Sequence, residues 1–241
     1  MGKVSKKYAL IVIGAGGTGT YFLKEFSRFH GSEASPIKRF IIFDGDTVEE
    51  KNLERQAFAT DDIGRNKASV MAEVLHDAFG TPWEAYGQYL TKISQLNAAI
   101  KDTKMIPLII GCVDNHACRL LLEECFQKKE DIVYLDSANE FTTGQSVFAY
   151  KAGGKVISPC RSHYFPDILG KRGKDRTEMS CEELNLVAPQ HIATNMEAGN
   201  ILLSEVCSLL AGKPHPGLVA FDTASFYREY TPFEGVVRNA A

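Results

Sequence analysis

No apolar run in this chain reaches the roughly 18 residues that a membrane-spanning helix needs, so no membrane partner is expected. Excess charge of one sign is also missing. Its 27 Lys and Arg against 30 Asp and Glu leave a net charge of −3, which argues against broad binding to nucleic acid or to a membrane surface. None of the six cysteines (Cys112, Cys118, Cys125, Cys160, Cys181 and Cys207) forms a C-x-x-C pair. In a chain of 241 residues with a core of its own, most of them read as small apolar groups of a cytoplasmic protein rather than as a disulfide framework. No repeat or low-complexity tract interrupts the sequence. A secretory leader is not expected either: Met1 to Lys7 is basic, but the apolar stretch behind it runs straight into a glycine-rich loop, as a first buried strand would.

What the chain has is an ordinary globular composition, 44% hydrophobic and 24% charged. Tyr8 to Ile13 is a continuous apolar strand, as in a parallel sheet covered on both faces. Phe22, Phe26 and Phe29 then recur at helical spacing, Pro36 breaks the connection, and Phe40 to Phe43 is a second buried strand ending at Asp44. The pattern predicts a helix over 62–79, with Ile63, Val70, Val74 and Phe79 among its apolar positions. Strands are predicted over 83–90, 107–112 and 132–136, and a helix over 116–127. This alternation implies an α/β fold with a doubly wound, Rossmann-like and mainly parallel sheet. Beyond residue 140 come a strand over 146–150, a basic Gly- and Pro-containing segment over 151–180, a helical region over 184–211, and short strands over 218–221 and 225–230. The basic segment is too long for an ordinary connector. The expectation is one domain over 1–241, with a nucleotide-binding core over 1–140 and an antiparallel extension over 141–241.

Gly14-Ala15-Gly16-Gly17-Thr18-Gly19 stands between the first strand and helix, where Gly14, Gly16 and Gly19 let backbone amides approach an anion at a helix N-terminus. Asp44 is placed for ribose hydroxyls. Both features suit NAD as well as ATP. Arg55 and Lys67 discriminate, because two cations at the same sheet edge neutralise a triphosphate and the charge that builds on a transferring phosphorus. Asp114, after the fourth apolar strand, is a natural Mg²⁺ ligand beside phosphates, and Asn52 can bond phosphate oxygens. Taken singly, Arg55, Lys67 or Asn52 reads as a solvated group, and Asp114-Asn115 as a helix N-cap.

In these strings the chain resembles the ThiF/MoeB/HesA family, the E1-like activators of ubiquitin-like and sulfur-carrier proteins, in a stand-alone bacterial-type form. Asp44-Gly-Asp-Thr-Val-Glu-Glu-Lys-Asn-Leu-Glu-Arg-Gln-Ala-Phe resembles D-x-D-x-V-x-x-x-N-L-x-R-Q-x-F. Asp62-Ile-Gly-Arg-Asn-Lys-Ala resembles D-I-G-x-x-K-A, and Asp114-Asn115 with Arg119 resembles D-N-x-x-x-R. The resemblance implies that a carrier's C-terminal glycine carboxylate attacks the α-phosphate of ATP, giving an acyl-adenylate and pyrophosphate. It implies a nucleotide held by Gly14, Gly16, Gly17, Gly19, Asp44, Asn52, Arg55, Lys67, Asp114 and Asn115. Arg55, Lys67 and Asp114 would act in catalysis, with Mg²⁺ on Asp114. It also implies a homodimer whose crossover loop, over 151–180, covers the carrier's tail.

The departures carry expectations of their own. The family's zinc-binding C-x-x-C pairs are absent, so no structural zinc is expected. Family homodimers often carry an N-terminal arginine that reaches the partner's site. Here only seven residues precede the first strand and none is Arg. Another cation, low activity or a partner subunit would account for that, and a non-catalytic E1-like nucleotide-binding partner stays an alternative, ahead of an NAD-dependent oxidoreductase. Cys181 lies near where some members carry a thioester-forming cysteine, and nearby cations would favour its thiolate. A half-buried structural cysteine is the competing reading. Cys160 is a weaker candidate nucleophile.

Overall fold

The computed structural model describes residues 6–30, 35–101, 104–170 and 191–235. Five parallel strands form its centre: β1 (Tyr8–Ile13), β2 (Ile37–Phe43), β3 (Trp83–Tyr86), β4 (Ile106–Gly111) and β5 (Ile132–Asn139). Antiparallel β6 (Thr143–Ala152), β7 (Lys155–Ser158), β8 (Gly217–Asp222) and β9 (Tyr227–Pro232) continue the sheet. The strand order is β3-β2-β1-β4-β5-β6-β8-β9, with β7 paired to β6. β1 is flanked by β2 on one side and β4 on the other, so the winding reverses there, and ligands of such sheets bind beyond the carboxyl ends of these strands.

Alternation along the strands fills both faces. Leu10, Val12, Ile42, Leu108 and Ile110 face α1 (Gly17–Phe29), α2 (Lys67–Phe79) and the long C-terminal helix Ile192–Leu210. Ile11, Ile13, Ile41, Ile109 and Tyr134 face α3 (Ile93–Ile100) and α4 (His116–Lys128). The expected doubly wound, mainly parallel sheet with an antiparallel extension is therefore what forms. Several boundaries differ. Residues 60–62 form a short 3-10 turn and α2 begins only at Lys67, where Asn66 Oδ1 accepts the Ser69 N–H (3.1 Å). Consequently Ile63 is exposed, and Phe29 and Val74 lie at exposed helix positions. β3 ends at Tyr86, and α3 occupies a stretch with no predicted element. Residues 151–170, expected as loop, hold the end of β6, β7, the helical turn α5 (Arg161–Tyr164) and a 3-10 turn over Pro166–Gly170. The C-terminal helix is numbered α6. Residues 171–190, including Cys181 and the start of the predicted helix over 184–211, lie outside the described residues.

Candidate functional site

The glycine loop is shaped by close backbone approach. Gly14 has φ +94°, a conformation L side chains rarely adopt, and a Cβ there would lie 2.6 Å from the Cys112 carbonyl oxygen. A Cβ on Gly19 would lie 2.0 Å from the Gly14 carbonyl oxygen, so this glycine presses α1 against the loop and does not line the cavity. Gly16 is the N-cap of α1 and supplies no side-chain cap, and no acidic residue occupies the first turn. A Cβ on Gly16 would meet nothing nearer than Gln56 Nε2 at 3.9 Å. The helix therefore presents uncapped amides and a positive dipole end to open space.

That space is a cavity of about 1360 Å³ along the carboxyl ends of β2, β1, β4 and β5. Of the sequence-derived site residues, Gly14, Gly16, Gly17, Asp44, Asn52, Arg55, Lys67, Asp114 and Asn115 all line it. Asp44 is buried at the end of β2, where Oδ2 accepts the Ala15 N–H (2.6 Å) and Oδ1 the Asp46 N–H (2.8 Å). Burial, followed by the neighbouring Asp46 charge, pushes its carboxyl up to about 6, against the opposing pull of Lys67 and the two amides. Lys67 is 5% exposed, with Nζ 3.4 Å from Asp46 Oδ2. The Tyr89 hydroxyl donates to the other oxygen of Asp46. Asn66 Nδ2 donates to the carbonyls of Asp44 (2.9 Å) and Asp46 (3.1 Å), so one side chain starts α2 and ties it to the β2 end. Asn52 is buried, and its Oδ1 accepts the Glu49 N–H (2.9 Å). Its amide N–H donors make no hydrogen bond with any described residue. Asn115 Oδ1 caps α4 at the Cys118 N–H (2.8 Å), while Asp114 is exposed at the cavity edge.

The structure also brings in residues outside the expected site set, among them Gln56 and Arg119, which the sequence placed only within motif strings. Gln56 is buried beside Gly16 with Oε1 lacking a hydrogen-bond partner, an orphaned acceptor that a ligand donor would satisfy. Asn195 of α6 reaches the loop, and a Cβ on Gly17 would lie 2.1 Å from its Nδ2. Arg161 and Arg119 line the cavity and meet at Asp136. Cys160, the weaker nucleophile candidate, is 4% exposed and its thiol is pushed well up by burial, which disfavours the thiolate. Burial likewise pushes up Cys112, Cys125 and Cys207. Among the described residues no cluster of three or more His, Cys, Asp or Glu is arranged to hold a metal. No described helix is long and apolar enough to cross a membrane.

A family model described as the ThiF family matches residues 3–235. Among curated proteins, ubiquitin-like modifier-activating enzyme 5 of Drosophila mojavensis is 27% identical over 184 residues, covering 70% of this chain and 42% of that protein. The protein of the same name from Rattus norvegicus is 26% identical over 128 residues, covering 48% of this chain and 30% of its own. The chain thus spans less than half the length of these relatives. Among solved structures, PaaA superposes with a TM-score of 0.66 at 17% identity, covering 95% of this chain and 74% of its own. E. coli MccB with AMPCPP and MccA superposes with a TM-score of 0.64 at 14% identity, covering 93% and 63%. At these identities the superpositions speak for the fold.

Proposed function

The chain belongs to the ThiF family, and from that premise we propose that it is an E1-like adenylyltransferase using ATP to activate the C-terminal glycine carboxylate of a ubiquitin-like or sulfur-carrier protein. One observation carries this reading: Asp44, Asn52, Arg55, Lys67 and Asp114 converge with the glycine loop on a single cavity. A site that only holds a dinucleotide has no use for two cations, an amide donor and a second carboxylate there, so an NAD-dependent oxidoreductase is the poorer reading. The curated relatives named as modifier-activating enzymes and the structure of MccB with ATP are in keeping with it.

In this reading the α1 amides and Asn52 receive phosphate oxygens, and Asp44 accepts from ribose hydroxyls. Arg55 and Lys67 stabilise the charge that develops as a carboxylate oxygen bonds to the α-phosphorus and pyrophosphate departs with the electron pair of the broken P–O bond. The donor set suits Mg²⁺, which uses one or two protein carboxylates and completes its shell with phosphates and water. Asp114 is the residue to hold it, and Mg²⁺ would supply neutralisation of phosphate charge. Transfer of the acyl group from the adenylate to the Cys181 sulfur as a thioester, with AMP leaving as the acyl–phosphate bond breaks and the thiol proton released, and action as a homodimer, complete the proposal. ATP–pyrophosphate exchange with Mg²⁺ and a carrier ending in Gly-Gly tests it. Carrier-dependent exchange is expected, whereas tight ATP binding without exchange would leave the chain a non-catalytic partner.

A further inference from the structure

Asp136, near the carboxyl end of β5, is 1% exposed and lies between Arg119 of α4 and Arg161 of α5, which are themselves buried. Arg119 Nε donates to Oδ1 (3.2 Å) and Arg161 Nε to Oδ2. Backbone carbonyls fix both guanidiniums further. Arg119 Nη2 donates to Val113 O and to Ser137 O (3.2 Å), and Arg161 Nη2 donates to Asp136 O (3.1 Å) and Gln145 O (2.9 Å). The Phe165 ring lies 5.3 Å from the Arg161 guanidinium carbon. Both arginines line the cavity. Nη1 of each makes no hydrogen bond with any described residue.

Two guanidiniums against one carboxylate leave positive charge in excess. Burial works to raise the Asp136 carboxyl, but Arg161 and then Arg119 outweigh it and hold the group below the usual range, so it stays ionised. Glu123 accepts the Ser162 N–H at 2.9 Å, and burial pushes its carboxyl up against the opposing pull of the Ser162 contacts and Arg161. Guanidinium donors left unused at a cavity wall are available to an anion, and a guanidinium held rigid from behind is suited to a planar carboxylate.

We propose that the Nη1 edges of Arg161 and Arg119 form an oxyanion subsite, on the β5 side of the cavity, that seats the terminal carboxylate of the acyl substrate. The identity of that anion rests on the adenylation reading above. The sheet order separates the tasks: Asp44 and the Asp46–Lys67 pair stand at the β2 end, the glycine loop and Asp114 follow β1 and β4, and the arginine pair stands at β5. The subsite pairs two oxygens of one planar group and holds the incoming chain end beside the nucleotide.

The test is calorimetric titration of a peptide ending in Gly-Gly with a free carboxylate, and of the same peptide as its C-terminal amide. Wild-type protein is expected to bind the acid about tenfold or more tightly than the amide, as loss of a bidentate charge-assisted pair implies. Arg161→Gln is expected to abolish that preference while ATP affinity changes less than about twofold. Arg161→Lys, which keeps the charge and loses the fork, should fall between and serves if Arg161→Gln does not fold. Equal binding of acid and amide, no binding of the acid, or a preference that survives the substitution overturns the proposal. So does a matching loss of ATP affinity, which would assign the arginines to phosphate. Because binding is read without turnover, an acid preference in a chain that shows no exchange would sink the adenylation reading and keep the subsite. Exchange without acid preference would do the reverse.

Discussion

At the scale of single residues, Asp44 carries a conflict that pH exposes. Its carboxyl accepts two backbone amides yet is pushed up to about 6, because burial and Asp46 penalise the charge. As pH falls through 6 the group takes up a proton and loses acceptor capacity for a ribose hydroxyl. ATP affinity is therefore expected to weaken several-fold between pH 7.5 and pH 5. Asp44→Asn should bind weakly at both, and isothermal titration at the two pH values checks this; an affinity flat with pH in the wild type refutes it. Lys67 Nζ lies 3.4 Å from Asp46 Oδ2, and in the proposed reading it serves the phosphates. Lys67→Ala should lower exchange by roughly 10²–10³, whereas Lys128→Ala, on the exposed face of α4, should leave it unchanged. That Asp44, Asn52, Arg55, Lys67 and Asp114 gather on one cavity was legible because each residue type has a distinct chemistry and arrives in order behind a glycine loop. Asp136 with Arg161 was not, since the two stand 25 positions apart and meet only when α5 folds against β5. Nor was the orphaned Gln56 Oε1, whose meaning lies in what fails to reach it.

At the scale of elements, the misplaced boundaries share a cause: periodicity reports apolar faces and is blind to caps. Helix α2 starts at Lys67 because Gly64 turns with φ +84° and Asn66 caps the first turn. Asn66→Ala should cost about 1 kcal/mol as a lost cap. It should also weaken ATP binding, because the same side chain braces the carbonyls of Asp44 and Asp46; urea titration and calorimetry separate the two effects. The basic segment hid a β6–β7 hairpin whose Gly153-Gly154 turn has φ +55° and +74°, a signal that its charge obscured. In α6, Glu205 is buried with Oε2 unpartnered and His215 Nδ1 3.9 Å away. Burial raises its carboxyl from 4.5 to about 7, against the His215 amide and Arg228. A raised pKa means that the folded state favours the protonated form. The stability it contributes is complete below 4.5 and is lost as pH rises through about 7. Glu205→Gln should therefore raise Tm by a few degrees at pH 8 and change it little at pH 5. A gain of equal size at both pH values would contradict this account.

At the scale of the whole molecule, the sheet is secured unevenly, and the unevenness follows strand order. Every residue of β1 is buried, and its neighbours β2 and β4 are buried along their carboxyl halves, between helices on both faces. At the other end, every residue of β9 is exposed. Below it, β8 adds only Val219 and Phe221 to a small cluster with Ala198 and Ile201 of α6. Phe226 at the β8–β9 turn is 95% exposed with φ +57°. Opening free energy scales with the apolar surface and shielded hydrogen bonds that an element contributes. Native-state hydrogen exchange should therefore find the β8–β9 hairpin opening first, by local fluctuation. Amides of β1, β2 and β4 should exchange only through global unfolding, with protection that falls in parallel as denaturant is added. The glycine loop, Asp44 and Asp114 are mounted on the ends of those three strands, so nucleotide binding should protect their flanking amides and leave β9 unaltered. Were β9 amides protected to the same degree as β1, or protected by ATP, the hairpin would belong to the same cooperative unit as the site.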